Sequence, residues 1–358
     1  MSRIFVTGWG AVSPAGWNVA ALREALAHDG PLPVQSLERP GWEKPLRVRQ
    51  VPAPVARPEF LAHPRLRRSS PITHYAAAAA LEALDGCRAA PGSNDRLGLV
   101  VCMQAGCVRY SCRFLDETLK DPATASPLLF PETVYAAPAS HVAALLENVS
   151  LACSLVGDAG AFLQAISLAV QWLEEDRVDS CLVIGAEETN WILADALRLL
   201  DRNAIITSGA GALCLSRNPQ TAGAVELTAI TDPHTYSARK TRTQAAQAMR
   251  AQLGGGAAGD LLCDGLADSP RVDTPEREAW RDWPGKRFSP KRKLGEGLMA
   301  AAAWQCVAAC DSVANGGYTA ANVSIVGSNQ QAIGARFVRA NAGSSDSSVG
   351  GTAGKLRP

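Results

Sequence analysis

Short apolar segments alternate with alanine-rich segments along this chain, and this alternation is what most limits its fold. Residues 97–102, 181–185 and 323–327 are short and almost wholly apolar, as strands buried on both faces are. Residues 75–84 and 296–312 are rich in alanine, the strongest helix former. Short buried strands separated by helices predict an α/β fold, with helices layered on a buried sheet.

Three stretches fall outside this alternation. Residues 31–58 are rich in proline and charge, and residues 266–287 contain Trp280 and Trp283 in an irregular context. Both are interpreted as surface excursions. The tail, residues 340–358, is rich in glycine and serine without apolar periodicity, so it is interpreted as a flexible end or an expression-derived extension.

The overall charge argues against several classes of partner. The 358 residues include 35 basic and 34 acidic side chains, for a formal net charge of +1. Nucleic acids and anionic membrane surfaces attract strongly basic patches, so neither is expected as a partner. No apolar run reaches the ~20 residues that span a bilayer, and the first residues do not resemble a signal peptide. We therefore expect a cytoplasmic protein without a membrane span.

The cysteines do not form a metal-binding pattern. Cys102, Cys107 and Cys112 include no CxxC pair and have no neighbouring histidine, whereas zinc sites use close ligand pairs. Others, such as Cys181, lie among apolar residues, where a reduced cysteine behaves as a small buried side chain. We expect neither a metal nor a cofactor.

The segment Val-Thr-Gly-Trp-Gly-Ala-Val-Ser-Pro-Ala-Gly, residues 6–16, comes close to a dinucleotide-binding glycine motif. Ser13 replaces the third glycine of that motif and no suitably placed acid follows, so nucleotide binding is not assigned. The segment instead resembles the opening of the β-ketoacyl-acyl-carrier-protein synthases.

Three further segments resemble the same family, in the same order along the chain. They correspond to the family's Ser-Pro-Phe-Phe segment, its nucleophile helix with the strand after it, and its Lys-x-x-x-Gly-His segment, and they lie at residues 126–134, 157–187 and 291–297. The resemblance implies a thiolase-like α/β fold, with two related βαβαβ halves in a five-layer α-β-α-β-α arrangement. The halves would span residues 1–221 and 222–339.

The residues that carry the chemistry in this family are replaced here. The family uses a cysteine at a helix N-terminus, where the helix dipole favours a thiolate, and two histidines that stabilise an enolate. Counting without gaps from both flanks places Ala159 at the cysteine position. Asp264 and Glu296 stand at the histidine positions, while Lys291 is retained. The histidine content agrees, because no histidine follows His234.

These replacements predict a chain without ketosynthase chemistry. Ala159 has no nucleophilic atom, and an ionised carboxylate cannot donate a hydrogen bond to an enolate. Two alternatives stay open. Cys153 is a rival nucleophile, because Leu-Ala-Cys-Ser at 151–154 resembles the family's Thr-Ala-Cys-Ser, although it would lie inside a strand. Asp264 and Glu296 could also act as a general acid-base pair or bind a metal, although Glu296 beside Lys291 is more simply a structural acid.

An inactive copy of this fold can still complete a dimer. The resemblance implies pairing through the strand at 149–156, as in the chain-length factors of type II polyketide synthases. We therefore expect a non-catalytic subunit that pairs with an active ketosynthase and shapes the tunnel for a polyketide or fatty acyl chain on an acyl carrier protein. The alternatives are an autonomous acyltransferase that uses Cys153 and a homodimeric acyl-binding scaffold. Candidates for the tunnel wall or the interface are Tyr110, Phe114, Val134 and Tyr135.

Overall fold

The computed structural model describes residues 3–85, 87, 95–219, 224–254 and 256–340, so the predicted flexible tail lies outside the described residues from position 341 onward. The strands are Ile4–Val12 (β1), Gln35–Leu37 (β2), Leu46–Arg49 (β3), Leu97–Met103 (β4), Val149–Val156 (β5), Ser180–Glu187 (β6), Ile206–Thr207 (β7), Gly209–Ser216 (β8), Val225–Ile230 (β9), His234–Thr235 (β10), Leu261–Cys263 (β11), Lys286–Phe288 (β12), Ala320–Val326 (β13) and Gln331–Arg339 (β14). The α-helices are Val19–Ala27 (α1), Pro71–Leu84 (α2), Val108–Lys120 (α3), Ala137–Leu146 (α4), Ala161–Glu174 (α5), Trp191–Leu200 (α6), Arg242–Leu253 (α7), Pro270–Ala279 (α8), Pro290–Leu294 (α9) and Met299–Ala314 (α10).

Strand β1 joins two parts of one large sheet. Within the described part of the chain, the order is β12-β11-β13-β14-β9-β1-β8-β6-β4-β5, with β10 beside β14. β1 pairs antiparallel with β8 on one side and with β9 on the other. Within this sheet, the strands from residues 4–216 therefore lie together, and so do the strands from residues 225–339, whereas β2, β3 and β7 form a separate sheet. The division into halves at 1–221 and 222–339 stays a prediction.

Helices α5 and α10 lie between the two parts of the sheet. α5 contacts β4 and β6 on one side and β14 on the other, while α10 contacts β6 and β8 as well as β11 and β13. α2 and α4 cover the outer face of the first part, and α7 and α8 cover the second. The layers are thus helix, sheet, helix, sheet, helix, in agreement with the sequence prediction.

Strand β4 shows why the predicted strands are apolar throughout. Leu99 and Val101 point into the core cluster that contains α2 and α4. Val100 and Cys102 point into the cluster that contains α5 and α10. Because side chains alternate between the faces of a strand, burial of both faces requires a continuous apolar run.

Helix α2 approaches β1 closely at two glycines. A Cβ atom at Gly8 would lie 2.0 Å from the carbonyl oxygen of Ala83, and one at Gly10 would lie 2.1 Å from that of Ala79. The Gly-Trp-Gly segment therefore makes room for an alanine-rich helix, a packing role that needs no nucleotide.

Two segments that the sequence analysis interprets as surface excursions are structured. Residues 31–58 contain β2 and β3, which join β7 in a small three-stranded sheet. Residues 266–287 contain α8, and Trp280 at its end is fully buried, with its indole N–H donating to Ser324 Oγ at 2.9 Å. Neither segment is irregular. Residues 31–58 are mostly exposed, as predicted, whereas Trp280 and Trp283 are buried because they pack against residues far away in sequence.

Among the described residues, no helix is long and apolar enough to cross a membrane.

We expect Gly211→Ala to lower the free energy of unfolding by about 1–3 kcal/mol, because it overpacks a filled core. A Cβ atom at Gly211 would lie 2.8 Å from Cβ of Ala303 on α10. Gly259→Ala is the matched control, since nothing lies within 4 Å of the added methyl group. Urea unfolding of both variants is the measurement, and equal stabilities would contradict this account of α10 packing.

Candidate functional site

A cavity of about 390 Å³ lies at the beginning of α5. Both parts of the chain contribute to its wall, including Gln104 and Ala159 from the first part and Lys291, Glu296 and Leu298 from the second. Its volume falls in the range of small-molecule sites. The cavity is therefore the first place to look for chemistry.

Ala159 lies just before α5 and lines this cavity with a methyl group. The preceding residue, Asp158, is buried, and its Oδ1 accepts a hydrogen bond from the Gly160 N–H at 3.2 Å. Asp158 Oδ2 accepts from the Gln330 N–H at 3.0 Å, which ties the helix start to the loop before β14. The Asp158 carboxylate thus accepts a hydrogen bond from a backbone N–H at the start of the helix. The side chain of Ala159 supplies neither a sulfur atom nor a hydroxyl group.

Glu296 is held on both of its carboxylate oxygens. Lys291 Nζ donates to Oε2 at 2.8 Å, and the Leu298 N–H donates to Oε1 at 2.8 Å. The main chain of Glu296 is fixed as well, because its N–H donates to the Ile205 carbonyl and its own carbonyl accepts from the Thr207 N–H. This carboxylate is a structural acceptor beside a lysine, and an ionised carboxylate offers no proton to a substrate oxygen.

Asp264 is fully buried and is not part of the cavity wall. Its Oδ1 accepts from Ser289 Oγ at 2.5 Å and from the Leu266 N–H at 3.3 Å, while Arg287 lies 3.9 Å from Oδ2. Burial raises the pKa of Asp264. The structure therefore does not bring Asp264 and Glu296 together around the cavity, and no group of three or more metal-ligating side chains occurs among the described residues.

Glu276 on α8 is the buried acid beside Asp264. It accepts hydrogen bonds from Ser324 Oγ and, at 3.1 Å, from the Gly265 N–H. Burial first, and then the neighbouring Asp264 carboxyl, raise the pKa of Glu276 to about 8. Glu276 was not singled out as a titrating group from the sequence, because its burial depends on the distant strand β13.

The remaining predicted site residues lie away from the cavity wall. Cys153 sits in the middle of β5, opposite Val100 of β4, and is partly buried. Phe114 on α3 contacts Phe130, with ring centroids 5.5 Å apart. Tyr135 is not part of the wall, but its hydroxyl donates to the carbonyl of the wall residue Gln104 at 3.5 Å. Tyr110 and Val134 do not line the cavity either. The roles of these residues in a tunnel, an interface or nucleophilic catalysis stay predictions.

Sequence reasoning missed the basic residues of the cavity wall. Arg47 and Arg49 of β3 and Arg292 of α9 all line it. The alternation Leu-Arg-Val-Arg at residues 46–49 is a strand signal that could have identified the arginines as one face of a strand. It stood inside a stretch rich in proline and charge, which favoured a loop interpretation.

Among the comparisons with known proteins, the comparison with solved structures identifies the fold. No family model matches the sequence, and no curated protein matches it. The chain is similar in structure to the ishigamide ketosynthase/chain length factor, at 18% identity and a TM-score of 0.78 over 95% of this chain and 100% of that chain. It is similar to a β-ketoacyl synthase from Burkholderia phymatum, at 17% identity and a TM-score of 0.78 over 95% and 100% of the two chains.

A third structure is a complex. The chain is similar to the ketosynthase ApeO in complex with its chain length factor ApeC from Xenorhabdus doucetiae, at 16% identity and a TM-score of 0.73 over 95% of this chain and 98% of that chain. These similarities confirm the predicted thiolase-like α/β fold over nearly the whole chain.

We expect Glu276→Gln to flatten the pH dependence of stability. The pKa of Glu276 is raised from its ordinary value of 4.5 to about 8, so the folded chain keeps a proton that the unfolded chain loses. The free energy of unfolding therefore falls as the pH rises from about 4.5 to about 8, and Glu276 adds no further change above that range.

Urea unfolding at about pH 5 and about pH 8 measures this effect. The decline between the two pH values should be smaller in Glu276→Gln than in the parent chain. Glu278→Gln on the same helix is the control, because Glu278 is exposed. An identical decline in the parent chain and Glu276→Gln would show that Glu276 is ionised in the folded state.

Proposed function

We propose that this chain is a non-catalytic subunit that pairs with an active ketosynthase of the same fold, as a chain length factor does. In the pair it would help to shape the tunnel for a polyketide or fatty acyl chain on an acyl carrier protein. The observation that carries this proposal is Ala159, which stands at the start of α5 and faces the cavity where the resembled enzymes need a thiol. Structural neighbours of this chain include a ketosynthase in complex with its chain length factor.

The charges around Ala159 also oppose decarboxylative chemistry. That reaction needs hydrogen-bond donors where negative charge develops on a thioester oxygen. Glu296 presents acceptor oxygens instead, and both already accept hydrogen bonds, one from Lys291 and one from the Leu298 N–H. Lys291 therefore already donates to the Glu296 carboxylate. Asp264, at the other histidine position, lies outside the cavity wall. Among the described residues of the cavity wall, none supplies a thiol or an imidazole in their place.

Strand β5 offers an open edge for a partner. It is hydrogen-bonded to β4 on one side and ends the described large sheet on the other. Ser150, Ala152 and Val156 on it are exposed, and Val156 leaves 54% of its surface open. An unpaired edge invites a strand from another chain. A second thiolase-fold subunit that adds its own β5 would continue the sheet.

Helix α3, which follows β4, supplies an exposed apolar surface. It is strongly amphipathic, yet none of its residues is buried. Large apolar side chains on α3 and in the segment after it are exposed, namely Leu115, Leu119, Leu128, Phe130, Val134 and Tyr135. An apolar face of this kind commonly marks a protein interface. We define these six residues as the α3 patch, and we assign it to the ketosynthase partner.

We expect the chain to copurify with a ketosynthase that carries an intact Cys-His-His triad, encoded beside it, and Leu119→Asp to weaken that pairing about tenfold or more. Burying an unpaired carboxylate in an interface costs well over about 1.4 kcal/mol. Val55→Asp is the matched control, because Val55 is fully exposed and lies outside the α3 patch. Copurification of tagged, co-expressed chains is the measurement.

Two results would contradict the heterodimer, and a third would contradict only the assignment of the α3 patch. The two chains could fail to copurify while the ketosynthase alone makes the same product. The chain could form a stable homodimer without the ketosynthase, which would favour the scaffold alternative. Equal effects of Leu119→Asp and Val55→Asp would remove the α3 patch from the interface.

We also expect no covalent acylation when the chain alone is incubated with a labelled acyl-carrier protein, because Ala159 has no nucleophilic atom. Mass spectrometry of the intact chain is the measurement, with an active ketosynthase as the positive control. An acyl adduct that is lost in Cys153→Ala would establish the autonomous acyltransferase instead.

A further inference from the structure

Arg49 at the end of β3 is a buried cation without a carboxylate partner. Its side chain leaves only 4% of its surface exposed, and its Nε–H donates to the Leu32 carbonyl at 2.8 Å. Among the residues that the structure describes, no ion pair includes its guanidinium. Burial, and then the nearby Arg47, lower the pKa of Arg49. Buried charges are normally paired, so an unpaired guanidinium in a cavity wall points to a ligand.

The other charges of the cavity wall do not neutralise Arg49. Glu296 is paired with Lys291, and Arg292 Nε lies 2.8 Å from Asp268 Oδ1. Asp201 is the remaining acid of the wall, and its Oδ1 accepts from the Asn203 N–H at 3.0 Å. The described wall thus carries four cationic and three acidic side chains, and its net charge favours an anion.

Gly295 lies beside the guanidinium of Arg49. A Cβ atom at Gly295 would come within 3.5 Å of Arg49 Nη1 and 2.5 Å of the Ile205 carbonyl oxygen. The positive φ of Gly295, 102°, favours glycine, so this residue adds no side chain next to that nitrogen. A guanidinium presents parallel N–H donors that match the two oxygens of a carboxylate or a phosphate.

Much of the remaining wall is apolar. Large apolar side chains of the wall include Leu197, Leu200, Ile206, Val272, Leu298 and Val326. A cavity of about 390 Å³ with one charged anchor and an apolar wall suits a small amphipathic molecule.

We propose that this cavity binds an oxyanion carried on an apolar chain, a carboxylate or a phosphate monoester, and that Arg49 is its charged contact. The site lies within this chain alone, and no residue of the α3 patch is part of its wall. It therefore does not depend on the proposed pairing with a ketosynthase, and either proposal can fail without the other.

Calorimetric titration of the purified chain with three eight-carbon probes tests the site. Octanoate and octyl phosphate should bind with a Kd below about 1 mM, and octanol should bind about tenfold more weakly or not at all. The tighter of the two anions identifies the headgroup as a carboxylate or a phosphate. Equal binding of octanol would overturn the proposal, and so would the absence of binding by both anions.

Three variants link the binding to Arg49. Arg49→Met keeps an apolar stem without the charge and should weaken anion binding about tenfold or more. The anion affinity of Arg49→Lys should lie between those of Arg49→Met and the parent chain. Arg57→Gln is the control, and its effect should be small because Arg57 is exposed and is not part of the cavity wall.

The melting temperature separates a ligand contact from a structural role. Without ligand, Arg49→Met should melt at the same temperature as the parent chain or higher, because it removes a buried charge that has no partner. An unchanged affinity in Arg49→Met would overturn the proposal. A large fall in its melting temperature would show instead that Arg49 is structural.

Discussion

The close approach of α10 to the sheet is the constraint on which the rest of this structure depends. Gly185 and Gly211 leave room for Ala303, and the indole N–H of Trp304 lies near the carbonyl oxygens of Val12 and Ala210. Because α10 also contacts the strands of the second part, it fixes both parts of the sheet at once. The loop that precedes α10 is thereby held beside the beginning of α5, and the cavity forms between them.

The cavity keeps its position in the fold while its side chains oppose the reaction of the resembled enzymes. A methyl group stands at the helix start, and an ion pair of Lys291 and Glu296 fills the opposite wall. Neither side chain disturbs the packing, because Ala159 is buried at the helix start and Glu296 accepts a hydrogen bond from the Leu298 N–H. The fold and the chemistry are thus separable here. The layers depend on α10 and the glycines that it packs against, whereas catalysis in the resembled family would depend on the three side chains at positions 159, 264 and 296.

The sequence predicts the layers well, because they rest on local patterns. Apolar runs identify strands such as β4. Fixed spacings on both sides place Ala159 at the cysteine position of the resembled family, and this assignment stays a prediction. The structure departs from the sequence analysis where partners are distant. Arg49 is buried because β3 pairs with β7, which lies far along the chain. Trp280 is buried because its indole meets Ser324. Neither pairing has a local sequence signal, so residues 31–58 and 266–287 resemble loops.

Two features of the isolated chain remain unsatisfied, and they call for different partners. The α3 patch and the edge of β5 expose apolar surface and backbone hydrogen-bonding groups, which a protein of the same fold can cover. Arg49 is instead a buried cation without an opposite charge, and the anion that we propose for the cavity would supply that charge. No residue of the α3 patch is part of the cavity wall, but the Tyr135 hydroxyl donates to the carbonyl of the wall residue Gln104, so the two surfaces meet at this hydrogen bond.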